Sequence, residues 1–270
     1  MNIAFLGGGN MANALIGGLA ARGFAVADMS VVEPIAAARE KLASAYGIHV
    51  SAVPDEATRG ADTLVLAVKP QDMKSALAPC APLVTGKLVI SIAAGVRLAT
   101  LSRWLGGHRK LVRSMPNTPA LIGAGIAGVY APPEVGSEER RRVEQILGAV
   151  GAVVWVEAEA LLDPVTALSG SGPAYVFWFI EQLSRSGVAM GLAPEAARTL
   201  ALQTVLGAAR LAADSPEAPG VLRERVTSKG GTTEAALKVF AAEGLADGLA
   251  RALDAASRRG TELGDLLDKS

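Results

Sequence analysis

The chain has few of the residues that build disulfides and metal sites. Its 270 residues include 1 Cys and 2 His. Cys80 alone cannot form an intramolecular disulfide, and two histidines without a cysteine cluster do not supply a zinc site. We therefore expect no bound metal and no metal-dependent catalysis.

Net charge and long apolar runs are also missing. The 26 Lys and Arg residues balance 26 Asp and Glu residues. A nucleic-acid partner would require a clustered excess of basic residues, which the sequence lacks. The apolar run 3–6 ends at three glycines, and no later run approaches the ~18 residues of a membrane span. We expect a soluble, cytoplasmic protein with neither a nucleic-acid nor a membrane partner.

Aromatic residues are scarce, whereas glycine and alanine are plentiful. Aromatics make up 4% of the chain, against 30 glycines and a hydrophobic content of 50%. Small side chains favour closely packed helices and tight turns over a core of large rings. At roughly 100–200 residues per domain, the length predicts about two domains.

The N-terminal part alternates short apolar strands with helical patterns. The predicted strands are residues 2–6, 30–32, 63–68, 88–92, 111–115, 123–130 and 153–157. The predicted helices are residues 11–22, 35–46, 72–83, 98–105 and 137–150. Such alternation is typical of βαβ units. We predict an α/β fold with a mostly parallel, Rossmann-type sheet in a dinucleotide-binding domain of residues 1–158.

Helical segments follow one another after about residue 160, where the β-branched runs disappear. They are residues 161–168, 174–190, 194–213, 221–226, 233–242 and 245–267. Residues 159–270 therefore predict an all-helical second domain. Within it, residues 174–180 hold four aromatic side chains and are apolar all around a helix, which requires burial from every side. This helix forms the core of the domain, packs against a second subunit, or does both.

A glycine-rich turn follows the first predicted strand. Gly7, Gly9 and Ala12 fit the G-x-G-x-x-A pattern of a dinucleotide-binding turn. The pattern allows a tight turn and the close approach of a pyrophosphate, while the helix N-terminus offers N–H donors. We predict that the cofactor contacts Leu6, Gly7, Gly8, Gly9, Asn10, Met11 and Ala12. The alternative is a structural strand-to-helix turn.

An acidic residue ends the second predicted strand. Glu33 follows Gly9 at about the spacing at which an acid accepts hydrogen bonds from the adenosine ribose. Such an acid favours NADH because it would repel a 2′-phosphate, but Arg39 and Lys41 are close enough in sequence to offset its charge. The choice between NADPH and NADH stays open, as does a solvated surface role for Glu33.

Three further strand ends lie at the edge where open α/β sheets bind ligands. Lys69 is a candidate cofactor contact and catalytic residue, or a solvated charge. Asn117 and Thr118, braced by two prolines, are candidates for the nicotinamide end, or members of a rigid turn. The predicted cofactor contacts in these turns are Ala67, Val68, Lys69, Pro70, Ala93, Asn117 and Thr118.

Two loops in the helical part, residues 169–173 and 227–233, each open a helix. Exposed N–H groups, small residues and hydroxyls at a helix start suit a carboxylate. Two such loops beside a dinucleotide-binding domain favour a substrate site, although each alone would more often be a simple helix cap.

Five segments together resemble the pyrroline-5-carboxylate reductase family, whose members make L-proline in the last step of its biosynthesis. They are FLGGGNMA (5–12), AVKPQ (67–71), MPNTP (115–119), LSGSGPAY (168–175) and VTSKGGTT (226–233), so the match runs along nearly the whole chain. The last two are specific to this family. The glycine turn is shared with β-hydroxyacid dehydrogenases, whose catalytic lysine motif is missing here.

The resemblance implies a C-terminal dimerisation domain and a homodimer or a higher oligomer such as a decamer. It also implies hydride transfer from NADPH or NADH to the C=N bond of 1-pyrroline-5-carboxylate. Thr233 is the candidate for supplying or stabilising the imine proton. The implied substrate contacts are Ser228, Gly230, Gly231, Thr232, Thr233 and, at the rim, Glu217.

Two positions depart from the family pattern. Many relatives have proline in place of Lys229, and many have an asparagine that contacts the ribose in place of Pro54. Two other functions stay open: another imine or hydroxyacid reductase of the same architecture, and a dinucleotide-binding protein without catalysis.

Overall fold

The protein, described by a computed structural model over residues 1–269, forms two compact units. The first unit contains Met1–Ser171 together with residues 255–269, and the second contains Gly172–Asp254. No helix in residues 1–269 combines the length and the apolar character that crossing a membrane requires.

The first unit is built on an eight-stranded sheet. Its strands are β1 (Ile3–Leu6), β2 (Met29–Val32), β3 (His49–Ser51), β4 (Thr63–Leu66), β5 (Leu88–Ser91), β6 (Leu111–Met115), β7 (Gly125–Tyr130) and β8 (Gly151–Trp155). They lie in the order β3-β2-β1-β4-β5-β6-β7-β8. Every neighbouring pair is parallel except β6 with β7, which is antiparallel. The prediction of a mostly parallel sheet is confirmed.

Helices cover both faces of this sheet. They are α1 (Asn10–Ala21), α2 (Ala36–Tyr46), α3 (Glu56–Gly60), α4 (Met73–Leu77), α5 (Leu98–Trp104), α6 (Ser137–Gly148) and α7 (Leu162–Val165). Alternate residues of β1 enter two different buried clusters, Ile3 and Phe5 in one and Ala4 and Leu6 in the other. The first cluster includes residues of α1 and α6, and the second includes residues of α4 and α5. Burial on both faces explains why β1 is apolar at every position.

Several predicted boundaries are wrong, each for a local reason. The predicted helix 72–83 is divided into Pro70–Asp72, α4 and Ala81–Leu83, because Pro79 and Pro82 interrupt the helical pattern. The predicted edge strand 153–157 begins two residues earlier, at Gly151. The short elements β3 and α3 were not predicted.

The second unit is helical, as predicted. It consists of α8 (Gly172–Ala189), α9 (Pro194–Asp214), α10 (Pro219–Arg225), α11 (Thr232–Ala242) and the first part of α12 (Leu245–Asp268). Its buried residues, among those described, are small: Gly187, Ala197 and Ala201. A β-carbon on Gly187 would lie 3.0 Å from the Ala197 side chain, so α8 and α9 approach closely. This unit has no large side chain buried within its described residues.

The last part of α12 is anchored on the first unit. Arg97 forms ion pairs with Asp265 and Asp268, and Thr100 donates a hydrogen bond to Asp268. These carboxylates also raise the pKa of Arg97, chiefly through the hydrogen bond to Asp265. The last turns of α12, up to Asp268, are therefore part of the sheet-containing unit.

Segment 159–171 belongs to the first unit by its contacts, since Leu162 and Ala167 are buried there. The sequence predicts a functional domain of residues 1–158 and another of residues 159–270. This division differs from that into compact units, and it stays a prediction.

Candidate active site

The glycine turn after β1 has the shape that a dinucleotide requires. Gly7 has φ +95°, and a β-carbon there would lie 2.7 Å from the Ala67 carbonyl oxygen. Gly9 caps α1 without a side chain, and a β-carbon on it would meet no atom within 4 Å. The space at Gly9, together with the N–H groups of the first turn of α1, fits a pyrophosphate.

Backbone hydrogen bonds align the turns that follow four neighbouring strands. Gly7 N–H donates to the carbonyl of Val32 (2.8 Å), and Ala67 N–H donates to that of Leu6 (2.8 Å). Ile92 N–H donates to the carbonyl of Leu66 (3.1 Å). The turns after β1, β2, β4 and β5 therefore lie along one edge of the sheet, as the parallel topology requires.

The predicted residues after β4 and β5 lie on this edge. Lys69 is exposed and precedes the short helical turn Pro70–Asp72, while Ala67, Val68 and Pro70 are half-buried. Ala93 is buried, and its N–H donates to the Ser91 hydroxyl (3.3 Å). The exposed ammonium of Lys69 is thus free to meet a ligand at this edge, and its catalytic role stays a prediction.

Glu33 has a structural role that the sequence did not reveal. Its side chain is turned inward and the residue is 8% exposed. One carboxylate oxygen accepts the N–H of Gly8 and the other accepts the N–H of Ile35, both at 2.9 Å. Glu33 therefore braces the glycine turn against the start of α2, and the predicted contact with the ribose stays a prediction.

Asn117 is likewise engaged by the protein. Its amide nitrogen donates to the Ser169 carbonyl (3.1 Å), and its amide oxygen accepts the N–H of Ile126 (3.0 Å). The side chain thus joins the MPNTP turn to β7 and to the LSGSGPAY segment, which agrees with the rigid-turn interpretation. Thr118 is exposed, and it remains the better candidate of the two for a direct cofactor contact.

The VTSKGGTT loop connects α10 to α11 in the second unit. Gly230 has φ +73°, and Gly231 caps α11 with extended backbone and no side-chain hydrogen bond. Thr232 and Thr233 form the first turn of α11, where Thr232 is exposed and Thr233 half-buried. Ser228 accepts the N–H of Gly231 through its carbonyl (3.0 Å), and Lys229 is exposed. The loop therefore presents N–H groups and hydroxyls at the positive end of a helix.

Two carboxylates flank this loop. Glu217 forms an ion pair with Arg225, at the end of α10. Glu234 accepts the N–H of Gly230 (2.7 Å) and lies 3.4 Å from the ammonium of Lys238. Sequence reasoning missed Glu234, although its position three residues after the helix cap is the one that a capping box assigns to glutamate.

The comparisons with known proteins cover both halves of the chain. Residues 159–263 match the family described as "Pyrroline-5-carboxylate reductase dimerisation", and residues 2–95 match "NADP oxidoreductase coenzyme F420-dependent". A pyrroline-5-carboxylate reductase from Pseudomonas aeruginosa is 47% identical over 266 residues, which is 98% of this chain and 97% of that protein. The chain belongs to the pyrroline-5-carboxylate reductase family.

Solved structures of the family have the same fold. A pyrroline-5-carboxylate reductase from Coxiella burnetii superimposes with a TM-score of 0.93 at 39% identity, covering 97% of this chain and 98% of its own. The pyrroline carboxylate reductase of Plasmodium falciparum, crystallised with NADP bound, gives a TM-score of 0.86 at 30% identity, covering 98% of both chains. The family resemblance inferred from the five motifs is confirmed.

Proposed function

We propose that this chain reduces 1-pyrroline-5-carboxylate to L-proline with NADPH or NADH, the last step of proline biosynthesis, in the cytoplasm. The full-length identity of 47% to a pyrroline-5-carboxylate reductase is the main support. In this proposal the glycine turn after β1 is the cofactor site, and the VTSKGGTT loop before α11 is the substrate site.

The first unit holds the cofactor in this proposal. N–H groups at the start of α1 bind the pyrophosphate, and Glu33 keeps the turn in shape through Gly8. When bound, the reduced nicotinamide supplies the hydride that C5 of the imine accepts. In this proposal Lys69, Ala93 and Thr118, which follow β4, β5 and β6, contact the cofactor beyond the pyrophosphate.

The loop before α11 holds the substrate. The position of the loop at the N-terminus of α11 supports this role, because the positive end of a helix favours an anion. N–H groups of residues 228–232 hold the ring carboxylate, and the Thr233 hydroxyl holds the proton at the imine nitrogen. A protonated imine accepts hydride far better than a neutral one. The protein therefore needs only to orient the substrate beside the cofactor and to hold the imine proton with one hydroxyl.

Oxidation of NAD(P)H by the purified protein tests this function. We expect turnover with 1-pyrroline-5-carboxylate, and much slower turnover with pyrroline-2-carboxylate and with small keto acids. Faster turnover of either alternative would identify another imine or hydroxyacid reductase of the same architecture. Absence of turnover with both cofactors and all substrates would indicate a non-catalytic dinucleotide-binding protein.

We also propose that the chain assembles through its second unit into a homodimer, or into a higher oligomer such as a decamer. Tyr175, Trp178 and Phe179 of α8 line an apolar groove of about 640 Å³, together with Leu245 and Leu249 of α12. Small residues alone are buried among the described residues of this unit, so its large apolar side chains need another surface to cover them. The match to the dimerisation family begins at residue 159, which supports a functional division there.

Trp178→Glu is expected to weaken assembly, because a charge replaces a large apolar ring in the proposed contact. Size-exclusion chromatography with light scattering should detect a lower molar mass than that of the unmodified protein. Val154→Glu is the matched control, since Val154 is 49% exposed on the edge strand β8 and Trp178 is 57% exposed. An unchanged mass for Trp178→Glu would exclude this face as the dimer contact.

A further inference from the structure

The end of β2 determines what the adenosine half of the cofactor meets. Gly8 N–H donates to the carboxylate of Glu33, so the end of β2 borders the glycine turn directly. In Rossmann folds the ribose 2′-position lies at this strand end, where an acid selects NADH and an arginine accommodates a 2′-phosphate. This chain has an acid, Glu33, and an arginine, Arg39, near this strand end. Their contacts within the protein differ and indicate different roles.

The carboxylate of Glu33 does not act as a free surface charge. Both of its oxygens accept backbone N–H groups, and the residue is 8% exposed. Charge-assisted hydrogen bonds of this kind fix a carboxylate in place and offset part of its charge. Its repulsion of a 2′-phosphate is therefore reduced.

Arg39 lies over the same strand end. Its Nη1 atom donates to the carbonyl oxygens of Glu33 (2.7 Å) and Pro34 (2.8 Å). These bonds hold the guanidinium at the end of β2, where the ribose 2′-position lies in Rossmann folds. They use only Nη1, so Nη2 and Nε can donate to a ligand. A planar guanidinium with two adjacent N–H groups matches a phosphate.

The other cation near this edge is differently placed. Lys41 is exposed and lies two residues after Arg39 in α2. Residues two apart do not share a face of a helix, so Lys41 points away from the contact that Arg39 makes.

Apolar side chains beside this edge suit the adenine ring. Ile35, which follows β2, is 63% exposed, and Val53, which follows β3, is 66% exposed. The two strands are parallel neighbours, so both side chains lie at the same edge of the sheet. They offer apolar surface for the faces of a purine.

We infer that Arg39 binds the 2′-phosphate of the cofactor and thereby makes NADPH the preferred reductant. The inference rests on the proposed reductase activity, and it extends that activity by assigning the residue that selects between the two cofactors. Glu33 then acts as the brace of the turn rather than as the ribose acceptor that would select NADH.

Binding and kinetics of Arg39→Ala and of the matched control Lys41→Ala test the inference. Adenosine 2′,5′-bisphosphate and 5′-AMP serve as probes in calorimetric titrations. We expect Arg39→Ala to lower the affinity for the bisphosphate by about tenfold, as the loss of a charged hydrogen bond implies. The affinity for 5′-AMP, which lacks the 2′-phosphate, should be unchanged. The KM for NADPH should rise by a similar factor, whereas the kinetics with NADH and all properties of Lys41→Ala should be unchanged.

Arg39→Gln keeps a polar side chain but removes the charge, and its melting temperature, measured beside its binding, separates a loss of binding from a loss of folding. It should show the same selective loss with an unchanged melting temperature. Equal weakening of both probes, or an unaltered affinity for the bisphosphate, would overturn the assignment. Turnover with NADH in each variant shows that the reductase activity itself is intact, so a failed assignment is distinguishable from a failed function.

Discussion

Arg113→Ala is expected to lower the free energy of unfolding by about 3 kcal/mol, the lower end of the range for removing one partner of a buried ion pair, because Glu159 and Asp163 keep some solvent contact. Arg113 lies on β6 and is 4% exposed. Its guanidinium is 3.2 Å from Glu159 and 3.4 Å from Asp163, both on the segment before α8. Alanine would leave these two carboxylates side by side with neither the cation between them nor full hydration.

Urea denaturation of the purified variant measures this loss. Arg142→Ala is the matched control, because Arg142 pairs with Glu138 one turn away on the surface of α6, and such pairs contribute about 0.3–0.5 kcal/mol. The interpretation would be wrong if the two variants were equally stable. That result would mean that Leu98 N–H and Thr261, which also donate to Glu159 and Asp163, satisfy the carboxylates alone.

Thr233→Ala is expected to lower kcat by tenfold or more, a barrier increase on the order of 1.4 kcal/mol. The hydroxyl is the group proposed to hold the proton at the imine nitrogen, and its loss should leave the cofactor contacts of the first unit intact. Thr233 lies in the first turn of α11 and is half-buried. Steady-state kinetics with saturating NADPH would show the effect in kcat, with little change in the affinity for NADPH.

Thr233→Ser is the informative partner of this variant. It keeps the hydroxyl and removes only a methyl group, so it should recover most of the lost kcat. If alanine leaves kcat unchanged, Thr233 has no part in proton transfer. If serine and alanine are equally slow, the methyl group and the packing of the loop matter more than the hydroxyl.

Local patterns were sufficient to predict most of the fold. β1 is apolar at every position because both of its faces are buried, and such strands are recognisable without a structure. The glycine turn was equally predictable, because Gly7 has φ +95°. Only glycine adopts this conformation readily, so the sequence itself marks the position of the turn. By contrast, β3 (His49–Ser51) has no buried face in the burial pattern of its three residues, which are exposed or half-buried. Its pairing with β2 therefore could not be read from its sequence.

The remaining features depend on partners that are distant in the chain. The hydrogen bonds of Asn117 join residues 9 and 52 positions away, and Arg113 pairs with residues 46 and 50 positions away. Glu33 was recognised as a residue of interest, but its inward orientation depends on Gly8, 25 positions earlier. Sequence reasoning could name such residues, and only their three-dimensional neighbours determine whether they brace the site or meet a ligand.

The scarcity of large buried side chains in the second unit affects how the protein responds to dilution. In the proposed dimer, covering α8 and α12 supplies the apolar burial that Gly187, Ala197 and Ala201 cannot provide. Association and folding of this unit are then one equilibrium, and mass action links its melting temperature to protein concentration. The VTSKGGTT loop, the proposed substrate site, belongs to the same unit, so dilution should disrupt this loop before it disturbs the glycine turn of the first unit.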